Sequence, residues 1–182
     1  MDKWKRLDRE YVVDNRWVKL ARDKVLLPNG VTIDDFYVFA RKDVSLIVAV
    51  DSDRKVLIKK EYRYPVDEFL YEIPGGVIEE GDSPLETAKR ELLEETGYVS
   101  DDWVHLMSGY DYPAKDTNTV HIFLAKDIRR QGDQRLEETE DIDFEFLPIN
   151  DTIRMCVENK IRVNGSIAGL LLAEKVLDQQ QQ

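Results

Sequence analysis

Cysteine is almost missing from this chain: Cys156 stands alone among 182 residues. No disulfide can form within the chain, and such usage suits a reducing compartment, so a cytoplasmic location is expected. Cys156 falls in "DTIRMCVENK", which reads as helix, and is expected to be a packed thiol. Histidine is nearly as scarce. His105 and His121 lie apart, with no Cys/His cluster at zinc spacing, and both fall in segments that read as strands, where a structural role is expected. Long apolar runs are absent too. None approaches the length of a membrane span, and the opening "MDKWKRLDRE" is charged throughout, unlike a signal peptide, so no membrane partner is expected. Positive charge is in deficit: 26 Lys and Arg face 37 Asp and Glu, a net charge of −11. That balance argues against a broad nucleic-acid or anionic-membrane surface, which needs clustered cations. What remains is a chain long enough for a sizeable core, one domain with at most a small appendage.

Apolar patterning alternates along the chain without repeating. Residues 10–27 and 31–41 read as strands about a "PNG" turn at 28–30. "VSLIVAV" (44–50) and "KVLIKKEY" (55–62) read as a hairpin-like pair about "DSDR". A helix follows, then strands in "DWVHLMSGY", "TVHIFLAKDI" and "IDFEFLP". Two helices, about 149–160 and 165–178, close the chain before "QQQQ". The expected class is α/β (α+β): a mixed β-sheet sandwiched between helices, with an antiparallel β subdomain over 1–43, a main domain over 44–178 and a disordered tail at 179–182.

Acidic residues concentrate in "GGVIEEGDSPLETAKRELLEETGY", residues 75–98. Its helix punctuation is complete. Ser83 is a good N-cap, Pro84 suits the first helical position, Glu86 completes a capping box, and Gly97 supplies the left-handed stop. At 100° per residue Leu85, Ala88 and Leu92 form one apolar stripe. Glu91, Glu94 and Glu95 share a roughly 100° arc bordering that stripe. A helix gains nothing from gathering like charges there, since such pairs repel by a few tenths of a kcal/mol. Two readings are open at this point. The arc is a solvated acidic face helped by Lys89 and Arg90, or it supplies the oxygen ligands that a hard divalent cation requires.

The segment resembles the Nudix box, G-x5-E-x7-R-E-U-x-E-E-x-G-U, with U a bulky aliphatic residue. Gly76, Arg90, Glu91, Leu92, Glu94, Glu95 and Gly97 match at the required spacing. Asp82 replaces a Glu and Tyr98 replaces an aliphatic residue; the first keeps a carboxylate, the second changes packing. The resemblance implies a divalent cation, Mg²⁺ or alternatively Mn²⁺, held by Glu91, Glu94, Glu95 and the Gly75 carbonyl. Arg90 is expected to orient the glutamates by ion pairing, with a further loop contact to Asp82 or Glu79.

The flanks extend the likeness. "EYRYPVDEFLYEIPGG" is similar to the segment preceding the box in ADP-ribose and nucleoside-diphosphate-sugar pyrophosphatases, and Arg63, Glu72 and Gly75 occupy the matching positions. Pro113 follows the last glycine of the box by sixteen residues, as in that subgroup, although the Pro-Gly-Ser run common there is missing. The implied reaction is metal-dependent cleavage of a nucleoside-diphosphate sugar to a nucleoside monophosphate and a sugar phosphate. Arg63 is the expected phosphate clamp, and the resemblance implies substrate binding at Glu72 as well. Glu140 and Glu138, in the acidic loop "GDQRLEETEDIDFEF", are the expected general bases, Glu140 first. These enzymes typically exchange their N-terminal β unit between two subunits, so a homodimer is expected. Trp17 is read either as the residue that stacks on the base or as a core tryptophan. Other classes remain: a house-cleaning triphosphatase or dinucleotide pyrophosphatase of the same fold, an enzyme of RNA 5′ ends, and a non-catalytic ligand sensor. Intact Glu91, Glu94 and Glu95 argue against the sensor.

Overall fold

A computed structural model describes residues 1–179. The contacts divide into two compact units. One comprises residues 1–42 and 110–119; the other comprises 43–109 and the chain from 120 onward.

The first unit is an antiparallel meander of β1 (Lys5–Asp14), β2 (Lys19–Leu26) and β3 (Thr32–Phe39). The single strand expected over 10–27 is thus two strands. Their turn is made by the Asn15 side chain, whose Oδ1 accepts the N–H groups of Trp17 and Val18, both at 2.9 Å. Asn is suited to such local capture of backbone donors, which competes with strand continuation. The "PNG" turn forms as expected, with Gly30 at φ 85°. On β2, Ala21, Asp23 and Val25 face inward. Buried Asp23 accepts both ends of the Arg9 guanidinium at 2.7 Å, which holds its carboxyl below the ordinary range. Residues 110–119 join this unit through Asp116, which bridges Phe39.

In the second unit β4 (Val44–Ala49) and β5 (Lys55–Arg63) belong to different sheets, not to one hairpin. Asp51 explains the difference. Its Oδ1 accepts the N–H of Asp53 and of Lys55, Arg54 turns left-handed at φ 60°, and only Val50 and Val56 pair across the turn. The "EFLYEIPGGV" segment adds β6 (Glu68–Glu72) and β7 (Gly75–Val77). After α1 (Pro84–Thr96) come β8 (Tyr98–Val99), β9 (Asp102–Gly109), β10 (Val120–Lys126), β11 (Arg129–Arg130), β12 (Ile142–Pro148), α2 (Ile149–Val157) and α3 (Asn164–Gln179). Gln179 therefore ends a helix, and the remainder of the expected tail, 180–182, lies outside the described residues.

The central sheet, in the order β7-β4-β10-β9, is mixed because β4 and β10 run parallel. Beside it stand β12-β5-β6 and the short pair β11-β8. Alternate residues of β4, with Val50 that follows it, feed two cores. Ile47 and Ala49 pack with Ala88 and Leu92 of α1, whereas Val48 and Val50 pack with Leu170 and Ala173 of α3. Both faces of the strand are covered, which is why "VSLIVAV" shows no polar alternation.

Candidate active site

Helix α1 carries the acidic cluster, and its ends are fixed as the sequence implies. The Ser83 side chain accepts the Glu86 N–H, the Glu86 carboxylate accepts the Ser83 N–H at 2.8 Å, and Gly97 caps the helix at φ 77°. The three glutamates beyond Arg90 differ in burial. The Glu95 side chain is 3% exposed, Glu91 13% and Glu94 42%, so the arc runs from the core edge into solvent.

Backbone from β7 lies against the two less exposed members, buried Glu95 and half-buried Glu91. The Gly75 N–H donates to Glu95 Oε2 at 2.8 Å. Any Cβ at Gly76 would run into the Glu91 carboxyl group, so glycine alone leaves room for this approach. Arg90 Nη1 bridges Glu91 and Glu94 at 2.9 and 3.0 Å, and its Nε stands 3.8 Å from Asp82. Burial pushes the Glu91 carboxyl up, Arg90 pulls it down, and negative charge on Glu94 and Glu140 pushes it up again. Glu140 sits in a turn where its Oε2 accepts the Glu137 N–H at 2.9 Å, while Glu138 is exposed.

Strand β5 supplies a second group. From Ile58 onward its residues alternate, with Lys59, Glu61 and Arg63 on one face. Lys59 is fully buried and donates to Glu95 Oε1, with Glu61 Oε2 at 3.1 Å. Burial pushes the Glu95 carboxyl up to about 7, against the pull of Lys59 and the Gly75 N–H. Arg63 lies further along. Its Nε and Nη2 bond the two oxygens of Glu72 at 2.9 and 2.7 Å, and its Nη1 bonds Glu61 at 2.9 Å. A guanidinium has five N–H groups, so one on each terminal nitrogen remains. The side chain is 40% exposed.

Among the described residues, no three acidic, histidine or cysteine side chains close around one point as a preformed metal centre. The donor set nevertheless fits a hard cation. Its atoms are carboxylate oxygens, and Gly76 leaves the Glu91 carboxyl room beside the backbone. Charge points the same way. Lys59 and Arg63 stand against Glu61, Glu72 and Glu95, and Arg90 stands against Glu91 and Glu94. With Asp82 also facing Arg90, each set holds more carboxylates than cations, an excess that suits a bound cation. Gly75 engages Glu95 through its N–H.

Trp17 lies in the other unit, at the β1–β2 turn. It is 74% exposed, with the Arg16 guanidinium 4.4 Å above its ring, so it is not a core residue. His105 and His121 occupy β9 and β10 and share hydrogen bonds with the Ser108 hydroxyl. Sequence reasoning missed Lys59 and Glu61. The signal was present as charged residues alternating inside an apolar strand, K-x-E-x-R.

Comparison with known proteins bears on the whole chain. The NUDIX domain matches residues 40–163, and the nucleoside diphosphate sugar hydrolase N-terminal domain matches residues 4–39. An ADP-ribose pyrophosphatase of Mycobacterium tuberculosis is 30% identical over 159 residues, covering 86% of this chain and 76% of that protein. An ADP-ribose pyrophosphatase of Bacillus subtilis is 27% identical over 86% of this chain and 85% of its own length. A methanol dehydrogenase activator of Bacillus methanolicus is 30% identical with the same coverage. A crystal structure of an ADP compounds hydrolase superposes with a TM-score of 0.88 over 99% of this chain and 97% of that one, at 21% identity, a likeness of fold.

Proposed function

This chain belongs to the Nudix family, and on that premise we propose that it hydrolyses the pyrophosphate of a nucleoside-diphosphate sugar such as ADP-ribose, releasing a nucleoside monophosphate and a sugar phosphate. The observation that carries the reading is the placement of half-buried Glu91 and buried Glu95 against the Gly75–Gly76 backbone, with Glu94 beside them on the same helix and Arg63 anchored nearby on β5 through Glu61. The substrate class draws support from the match of residues 4–39 to the N-terminal domain of nucleoside diphosphate sugar hydrolases.

Glu91, Glu94, Glu95 and the Gly75 carbonyl would hold the divalent cation, Mg²⁺ first and Mn²⁺ as the alternative. Bound there, it would offset phosphate charge and lower the pKa of the attacking water. The remaining work falls to the chain. Arg63, held flat by Glu72 and Glu61, offers its outer N–H pair to phosphate oxygens. Arg90 keeps Glu91 and Glu94 together instead of touching substrate. Glu140 accepts the proton of the attacking water, with Glu138 as the second choice.

The active form in this reading is a homodimer in a reducing cytoplasm, with Trp17 of one subunit stacking on the base bound by the other. Its indole is exposed, with the Arg16 guanidinium over one face, which leaves the opposite face for such stacking. The test is a screen of nucleotide sugars, dinucleotides and nucleoside triphosphates with Mg²⁺ and Mn²⁺, with product phosphate released by a coupled phosphatase. Cleavage of ADP-ribose or another nucleoside-diphosphate sugar is expected. Hydrolysis of triphosphates alone would refute the substrate class.

A further inference from the structure

One buried charge has no part in the reaction described above. Lys59 is 2% exposed, on a strand whose preceding residues, Val56, Leu57 and Ile58, are all buried aliphatics. An ammonium in that position is costly unless it is paired on arrival. It is paired twice, by Glu95 Oε1 and by Glu61 Oε2 at 3.1 Å. Glu95 is consequently held from two sides: β5 supplies the ammonium, and β7 supplies the Gly75 N–H on the other oxygen. Neither Glu91 nor Glu94 has an equivalent. Both take their cation from Arg90, a neighbour on their own helix. Glu61, on the far side of Lys59, is shared with Arg63. The face of β5 thus carries a plus-minus-plus row that joins Glu95 at one end to the guanidinium at the other.

Resting on the reading of Glu95 as a cation ligand, we propose that Lys59 is a positioning residue, a built-in cation that holds the Glu95 carboxylate between β5 and β7 when no divalent ion is bound and that never touches substrate. Each oxygen of Glu95 spends one lone pair on these anchors and keeps another, so the carboxylate is fixed in place yet still able to ligate. Ligands held in advance in this way are what a precise metal site requires. Without the ammonium, Glu95 and Glu61 would share the interior with no charge between them. Glu61 would keep Arg63, so for Glu95 the divalent ion would be the nearest available cation, and stability would come to depend on it.

Melting temperatures of the wild type, Lys59→Met and Glu61→Gln, measured in chelator and in millimolar Mg²⁺, test this, together with kcat and KM at saturating Mg²⁺. Methionine nearly matches the lysine stem in volume, so lost packing is a small part of any effect. In chelator Lys59→Met should melt lower by on the order of 10 °C, and Mg²⁺ should raise its melting temperature by more than it raises that of the wild type. Its kcat should fall while KM stays within about twofold, because the side chain makes no substrate contact. Glu61→Gln leaves Lys59 wholly to Glu95 and should show a smaller Mg²⁺-induced rise than the wild type. Equal rises in wild type and Lys59→Met overturn the proposal. If Lys59→Met folds in neither condition, Glu61→Gln decides, and a rise equal to or above that of the wild type overturns it. A wild type with no Mg²⁺-induced rise and no Mg²⁺-dependent hydrolysis overturns the metal-site reading itself, an outcome visible without either variant.

Discussion

Glu95 concentrates the chemistry of single residues. Its carboxyl is pushed up to about 7 because burial outweighs Lys59 and the Gly75 N–H. A raised carboxyl pKa means the folded state binds this proton more tightly than the unfolded state does. In the cation-free protein this group therefore removes stability as pH rises from the ordinary glutamate range to about 7. A divalent ion requires the deprotonated form, so its affinity should weaken below that pH, by up to about tenfold per unit. Calorimetric titration with Mn²⁺ at pH 5.5, 6.5 and 7.5 checks the sign; affinity independent of pH would rule it out. Glu95→Gln should reduce hydrolysis by more than the roughly 10–100-fold typical of outer-shell partners. It should also cost about 1–3 kcal/mol, since the amide NH₂ must face either the Lys59 ammonium or the Gly75 N–H, donor against donor. A melting curve and a rate assay on that one variant separate the two effects. Glu91, Glu94 and Glu95 were legible in the sequence because they sit on one helix, where spacing alone sets direction. Lys59 was not, because its partners lie 36 residues away and two along, and only packing shows that the nearer one turns inward with it.

At the level of elements, the end of α1 anchors the loop that carries Glu138 and Glu140. The Gly97 carbonyl accepts the N–H groups of Gln131 and Gly132 at 2.8 and 3.1 Å, and the Glu94 carbonyl accepts that of Arg135 at 2.8 Å. The Gln134 side chain donates to the Glu95 carbonyl at 2.8 Å. The helix bearing the proposed cation ligands and the loop bearing the proposed base are thus joined at the last turn. Gly97→Ala tests the joint. A left-handed alanine costs roughly 1–2 kcal/mol, and its Cβ would also run into the Gly132 carbonyl. We expect a drop in melting temperature of about 2–8 °C and a fall in kcat larger than that destabilisation explains. Unchanged kcat would mean that the joint does not position the base. Helix α1 was readable to within a residue because its capping box and terminal glycine act locally. The hairpin expected from 44–50 and 55–62 failed because the Asp51 side chain, not strand pairing, shapes the turn between them. The strand expected over 10–27 failed for the same kind of reason at Asn15. In both places a short acidic or amide side chain captured backbone N–H groups that a ladder would otherwise have used.

For the whole molecule, the N-terminal meander poses the question of assembly. A three-stranded antiparallel sheet is close to the smallest that holds together in water, and it needs one face covered. Ala21, Val25 and the Arg9–Asp23 pair account for the inward side of β2. On the outside remain Trp4, Leu7, Tyr11, Val12, Val13, Trp17, Val18, Val31 and Tyr37, all exposed. Scattered apolar residues are ordinary on a surface, but this many on fewer than forty residues exceeds what a monomer usually leaves in solvent. A second copy of the chain is the occupant that the family resemblance implies, through exchange of this very unit between subunits. Interfaces of that kind are large, apolar and obligate. The expectation is a dimer by sedimentation velocity at micromolar concentration. Trp17→Ala should raise KM for a nucleoside-diphosphate sugar by roughly ten- to a hundredfold, as loss of one base–aromatic stack of about 1–3 kcal/mol implies, with kcat and the sedimentation coefficient little changed. Replacing Val12 and Val18 with lysine, on the exposed apolar surface of the meander, should instead shift the protein toward monomer and lower activity in proportion to the dimer lost. A fully active monomer would leave these apolar side chains without the partner assigned to them, and would return Trp17 to an ordinary exposed turn residue.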